Sequence, residues 1–367
     1  MTTSTYYYEP DYAVSPGQIL EEHLEVREIS QAEFARRCDR SPKLISEIIA
    51  GKAPVEPRTA LQFEKVLGMD AGIWLGIEAD YRLHQEREVE KRRNTEWLAW
   101  SKNFPIAELV RRGAIKELTS ATENVNALLG FFGVASVASW ERKYARAQVA
   151  YRHSPSFKSS VFALATWLRL GELEAEQIEC AIYNEATFKQ ALHRIRELTA
   201  AQSVEVLSEA EELCAKSGVA LAIVKPLPKT ALSGAARWLT SHKAVIQLSV
   251  RHLRDDQLWF SFFHEAAHIL LHGKKLVFIR EGNGKTPDAD EEAESNQWAS
   301  DFLVPRGDWD RFATSSEFSP HAVRRFAQEQ GIAPGIVVGR LQHEGKINWN
   351  QLNDLKLHLK WKSDVSG

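Results

Sequence analysis

Residues 258–273 read LWFSFFHEAAHILLHG, a mostly apolar stretch that nevertheless holds two histidines and a glutamate. Read as a helix, it places His264 and His268 one turn apart, so both imidazoles project from one side. That pair can grip one zinc ion. Glu265, turned toward the same side, can hold and deprotonate a water whose pKa the metal lowers. Leu258, Trp259, Phe262, Phe263, Ala266, Ala267 and Leu270 fill the other faces and predict a buried, rigid support. Asp255 or Asp256 is placed to cap the start of the helix and Gly273 to stop it. The alternative is a core helix that carries histidines without a ligand role. A further ligand decides between the two.

Past a polar loop, NGKTPDADEE at 283–292, the segment EAESNQWASDFLVP (292–305) predicts a second helix, stopped by Pro305. Glu292 and Asn296 lie four apart, on one helix face. The spacing resembles that of thermolysin-like zincins, in which a ligand glutamate precedes an acidic residue by four positions and a buried aromatic stands two beyond. Here those positions are Glu292, Asn296 and Trp298. The resemblance implies Glu292 as third ligand and Asn296 as the side chain that holds a ligand histidine ring. Glu294, on a different face from Asn296, is the competing ligand. His272 is one turn beyond His268. A straight helix cannot bring three such histidines to one tetrahedral ion, so His272 belongs behind the ligands or at the surface. His242, His252 and His343 have no partners at ligand spacing.

The totals bound the rest. The chain has 367 residues, 44% hydrophobic and 26% charged, with a net charge of −3. That is the composition of a globular protein of two or three domains, not of a polycation. No run approaches the eighteen or so apolar residues of a membrane span, and the first residues lack the basic and apolar regions of a secretion signal. Cys38, Cys180 and Cys214 are too few and too scattered for a disulfide framework or a thiolate metal cluster, which points to a reducing, cytoplasmic setting.

Nearer the N-terminus, residues 30–51 read SQAEFARRCDRSPKLISEIIAG. Ser30 with Glu33 predicts a capping box and a helix from Gln31. Ser41 caps a second helix with Pro42 at its first position, Ile45 and Ile48 among its core residues, and Gly51 at its close. Two short helices joined by a tight turn match a helix-turn-helix, whose second helix can touch base edges in the major groove. Residues 16–82 resemble the XRE-type fold of the HigA antitoxin family in PGQILEEHL, SQAEFARR, LISEIIAGK, TALQFEKVLG and IWLGIEADYRL. The resemblance implies base reading by Ser41, Lys43, Leu44, Ser46 and Glu47, phosphate contacts by Gln31, Lys52 and Arg58, and a dimer on a two-fold double-stranded DNA operator. Charge argues the other way. Residues 1–90 carry ten lysines and arginines against seventeen acidic residues, a net of −7, and only the cluster Arg36, Arg37, Arg40 and Lys43 offsets this locally.

Between these motifs the hydrophobic period changes. The chain is mainly helical to about 216. GVALAIV (218–224), SGAARWL (233–239) and KAVIQLSV (243–250) then read as short strands, and two further helices are expected near 319–330 and 335–343. The predicted class is mainly α with a small β-sheet. Its parts are a loose tail (1–16), a helix-turn-helix domain (17–82), a helical linker and helical part of the second domain (83–215), a zincin-like core (216–350) and a tail (351–367). FHEAAHILLHG, ESNQWASDFLVP and SGAARWLTSHKAVIQLS resemble the ImmA/IrrE zinc metallopeptidases, as do FFGV (131–134), WLRLGE (167–172) and GIAPGIVVGRLQHEG. Ser295, Trp298 and Val304 depart from that pattern without touching a ligand position. The resemblance implies endopeptidase action on a regulatory protein, a repressor, an antitoxin-type partner or the chain itself, with Zn2+ as cofactor. Arg237 or a nearby tyrosine is a candidate to stabilise the oxyanion, and the strand at 235–239 a candidate to bind substrate backbone by edge addition. A second reading stays open, an antitoxin-like autorepressor whose zincin-like part docks or senses a partner without cutting it. AVRRFAQEQGIAPGIVVGRLQHEG also has a helix-turn-helix pattern, and a structural role in closing the second domain is expected for it.

Overall fold

In a computed structural model, residues 12–117, 120–151, 160–201, 205–228, 233–249, 254–272, 289–315 and 317–358 are described. The expected stop at Gly273 and the isolated His252 lie outside them. The chain divides into two units, 1–98 and 99–367.

The first unit is built from α1 (Pro16–Val26), α2 (Gln31–Arg37), α3 (Pro42–Ile49), α4 (Pro57–Leu67) and α5 (Ala71–Glu96). Each start is specified locally. At α1, Ser15 Oγ accepts from the Gln18 N–H and Gln18 Oε1 accepts from the Ser15 N–H, both at 3.1 Å. Ser30 Oγ accepts from the Glu33 N–H at 3.2 Å, but the expected box is only half made: the Glu33 carboxylate turns instead to Arg36 (2.7 Å) and Arg37 (2.9 Å). Phe34, Phe63 and Trp74 are fully buried, with successive ring centroids 5.0 and 5.3 Å apart. Gly17 lets α1 lie against the end of α3; a Cβ there would sit 2.4 Å from the Ile49 carbonyl oxygen. Buried Glu78 accepts from the Val55 N–H at 3.0 Å and pairs with Arg82, which pins the connection between α3 and α4 onto α5. Helix α5 continues through the boundary expected at 82; its outer half is mostly polar, leaves Leu83 and Val89 exposed, and carries its own ion pair, Lys91 to Glu88.

The second unit begins with α6 (Leu98–Ser101), α7 (Ile106–Arg111), α8 (Ala121–Phe132), α9 (Val137–Tyr151), α10 (Val161–Gln177), α11 (Glu185–Leu198) and α12 (Glu205–Lys216). Strands β1 (Val219–Ile223), β2 (Gly234–Thr240) and β3 (Lys243–Leu248) follow, then α13 (Asp255–Leu271), α14 (Ala289–Leu303), α15 (Arg306–Thr314), α16 (Pro320–Gln330) and α17 (Pro334–His343). The sheet order is β1-β3-β2, with β1 parallel and β2 antiparallel to the central β3. Both faces are covered, which is why the strands read as nearly continuous apolar runs. Val219, Leu221, Ala236, Trp238, Ala244, Ile246 and Leu248 join the core that contains α13. Ala220, Ala222, Ala235 and Val245 join Leu164, Trp167 and Leu168 of α10, with Leu170 packed against them.

Arg237 lies on the α10 face of the sheet, where its guanidinium donates to Gln247 Oε1 (3.0 Å) and the Leu168 carbonyl (2.8 Å). Residue parity along β2 turns it away from α13, which rules it out as the oxyanion partner in this arrangement. Neither Asp255 nor Asp256 caps α13; Arg254 occupies that position, with no side-chain cap. Both aspartates are used on the C-terminal segment instead. Asp255 Oδ1 accepts from the Leu357 N–H (3.0 Å), and Lys356 Nζ donates to Asp256 Oδ2 (2.6 Å) and to Gln342 Oε1 (2.7 Å). The segment expected to be tail from 351 is therefore packed on the second unit as far as 358. Helix α17, which continues the second helix-turn-helix-like pattern, buries Ile336, Val337, Val338 and Leu341, so no face of it is free to enter a groove.

Candidate metal centre

Helix α13 presents His264 and His268, and α14 brings Glu292 opposite them. His264 Nε2 and His268 Nε2 are 3.1 Å apart. Glu292 Oε2 is 3.3 Å from the first and Oε1 3.4 Å from the second. The three donors lie within 4.8 Å of one another, and no other such cluster of three occurs among the described residues. A tetrahedron with bonds of about 2.0–2.1 Å has edges of about 3.3 Å, so this spacing fits a zinc ion without rearrangement. The donor set, two imidazoles and one carboxylate, leaves a fourth position open.

The helix that carries Glu292 is held from behind. Arg196 donates to the Phe302 (2.9 Å) and Leu303 (2.8 Å) carbonyls, and Arg340 to those of Ser300 (3.0 Å) and Val304 (3.2 Å). Two guanidinium groups thus satisfy the open carbonyls and face the negative end of α14. Hydrogen bonds from His264 and His268 hold the Glu292 carboxyl well below the usual carboxylate range. Burial disfavours a charged His264 ring, but the Glu292 hydrogen bond and the charges of Glu265 and Glu292 outweigh it and raise the pKa. Burial raises Glu265, with partial relief from the two histidines and from a hydrogen bond at the Ala236 backbone. A buried carboxyl with a raised pKa beside a cluster of donors is the pattern of a proton-transfer group.

Further contacts lie beside the cluster. Gly234 opens β2 against Glu265, and a Cβ there would meet Glu265 Oε1 at 2.7 Å. The SGA run carried the signal, since glycine inside a strand marks close approach. Ser295 Oγ lies 3.3 Å from His268 Nδ1. Glu294, the competing ligand, is not in the donor cluster; its Oε2 is 3.3 Å from His272 Nε2. Asn296 approaches the His264 ring, although His264 Nδ1 is buried with no hydrogen-bond partner among the described residues.

On the first unit, Gln31, Ser46, Lys52 and Arg58 are exposed. Ser41 is exposed but commits its Oγ to capping Leu44 N–H at 3.2 Å. Lys43 and Glu47 pair with each other at 3.7 Å, and half-buried Leu44 packs on the core.

The family model of the IrrE N-terminal-like domain, peptidase M78, matches residues 222–340, from the end of β1 into α17. The chain is also 33% identical over 76 residues to an uncharacterized HTH-type transcriptional regulator, YddM, of Escherichia coli (strain K12), a match that covers 21% of this chain and 78% of the relative. With its helix-turn-helix unit and its zincin-like second unit, the chain belongs to the HTH-type transcriptional regulators and carries, fused to that motif, a domain of the peptidase M78 family, whose members are zinc-dependent peptidases.

Proposed function

We propose that this protein is a DNA-binding regulator whose second unit is a zinc endopeptidase of the HExxH-plus-glutamate type, acting on a regulatory protein. The observation that carries the reading is the convergence of His264 Nε2, His268 Nε2 and the Glu292 carboxylate beside buried Glu265. Zinc held there would polarise the scissile carbonyl and lower the pKa of water. Glu265 takes a proton from that water as its oxygen attacks the carbonyl carbon, then delivers the proton to the amide nitrogen as the C–N bond breaks. Strand β2 is an edge strand of the three-stranded sheet and runs past Glu265, so an extended substrate segment can add along it. The substrate class is a repressor or antitoxin-type partner, or a second copy of this chain. The first unit delivers the activity to an operator, as a homodimer on a two-fold site, with Ser41, Lys43, Leu44, Ser46 and Glu47 on the base side and Gln31, Lys52 and Arg58 on phosphates.

Metal analysis of the purified full chain, with a cleavage assay on the neighbour-encoded protein, tests this. One zinc per chain is expected, and Glu265→Gln should keep the metal while cleavage falls by about 10²–10⁴-fold. A chain without stoichiometric zinc, or cleavage unchanged in Glu265→Gln, sinks the peptidase reading. The match to a transcriptional regulator favours a second reading, an autorepressor of antitoxin type whose zincin-like unit docks a partner. Under it, operator binding survives zinc removal and Glu265→Gln still neutralises the partner.

A further inference from the structure

The two histidines of the centre are not equivalent on their far sides. His268 meets His264 and Glu292 through Nε2, so its Nδ1 points away from the donor cluster. There it finds His272 Nδ1 at 2.9 Å. His272 in turn offers Nε2 to Glu294 Oε2 at 3.3 Å. The His272 side chain is 8% exposed and that of Glu294 61%, so the row runs from the centre outward to a solvated carboxylate. His264 has no such row, since its Nδ1 is buried and unpartnered among the described residues.

We propose that His272 and Glu294 are positioning residues that hold His268 in the tautomer and orientation a metal ligand needs. This rests on the metal-centre reading above. A neutral imidazole that ligates through Nε2 carries its proton on Nδ1. That proton needs an acceptor, and His272 Nδ1 at 2.9 Å lies closer than Ser295 Oγ at 3.3 Å. His272 can accept only if its own proton sits on Nε2, and that N–H points at the Glu294 carboxylate. Each tautomer fixes the next, and the row ends on a negative charge that strengthens every donor before it. Glu294 therefore acts two bonds' remove from the centre rather than as a ligand. Ser295 Oγ, at 3.3 Å, is a weaker second acceptor for the same proton. The row also ties the end of α13 to α14 at the level of the ligands.

The test compares zinc affinity of the full chain, by competition with a chromophoric chelator, with the visible spectrum of the cobalt-loaded protein. His272→Phe keeps the ring volume and removes both nitrogens; a loss of about 10–100-fold in affinity is expected, with a shifted cobalt spectrum. His272→Asn returns an acceptor near the Nδ1 position and should recover most of that loss. Glu294→Gln should fall between parent and His272→Phe, and Ser295→Ala should stay within about twofold. Melting of the metal-free proteins reports whether packing has changed. Affinity in His272→Phe within twofold of the parent overturns the proposal. So does an equal loss in His272→Phe and His272→Asn, which would mean packing alone. In both cases the parent still binds one zinc and the metal-centre reading stands; a parent that binds none overturns that reading itself.

Discussion

At the scale of single residues, the centre depends on close contacts as much as on its donors. Gly234 is the sharpest case, because the space a Cβ would need is already held by Glu265 Oε1 at 2.7 Å. Gly234→Ala should push the glutamate or the strand aside, costing about 1–3 kcal/mol of stability and lowering kcat with metal content unchanged. Denaturant melts and a metal assay on the same preparation check both halves. The donors were legible in sequence because one turn of helix fixes their relation, and Glu292 and Asn296 share a face for the same reason. Ser295, His272 and Glu294 were not legible as a group. They meet only when α13 and α14 pack, with an intervening stretch of chain whose length says nothing about the register of the two helices.

At the scale of elements, α13 is anchored at its first turn by the segment that follows α17. Lys356 and Asp256 form a buried ion pair, with side chains 2% and 6% exposed. Lys356→Ala strands a buried aspartate and should cost about 3–5 kcal/mol, read as a lower denaturant midpoint for the second unit. Beside it, burial and the Asp256 charge push the Asp255 carboxyl from 3.8 up to about 6, against hydrogen bonds from the Asp256 and Leu357 N–H groups. A raised folded-state pKa means that folding binds the proton. This contribution is therefore present below about pH 4, and it is lost as pH rises toward 6. Asp255→Asn keeps the acceptor oxygen and removes the titration. Its stability relative to the parent should rise across that interval by an amount on the order of 3 kcal/mol, then stay level. A difference that is flat with pH would refute the assignment. Gly335 and Gly339 of α17 make this anchor possible, since a Cβ at either would meet the two aspartates at 2.5 and 2.9 Å. A reading of Asp255 or Asp256 as a helix cap was locally reasonable. The capping role was displaced because residues about a hundred positions later compete for the same oxygens.

At the scale of the whole molecule, the chain joins two units with separate cores, one carrying the helix-turn-helix and one the His264, His268 and Glu292 cluster. Among the described residues no helix is long and apolar enough to cross a membrane. The first unit's acidity shapes what operator binding should look like. Glu33 and Glu47 pair with Arg36, Arg37 and Lys43, so few cations remain for phosphates and nonspecific binding should be weak. Lys52→Ala and Arg58→Ala should each weaken binding evenly across operator variants and reduce the slope of log affinity against log salt by about one. A change confined to particular base pairs would place those residues at base edges instead.

The sequence by itself determined the helix that carries His264, Glu265 and His268, the N-caps of α2 and α3, the three strands and the mainly helical class. Each rests on spacing within one element or on a contact between near neighbours. Only the tertiary structure decided which sheet face Arg237 occupies, that Glu292 rather than Glu294 faces His264 and His268, that Asp255 and Asp256 hold the C-terminal segment, and that α5 runs on to Glu96. The first three all turn on contacts between separate elements. A sheet covered on both faces loses its alternation signal. Side chains from separate elements find each other through packing geometry, which sequence separation does not encode.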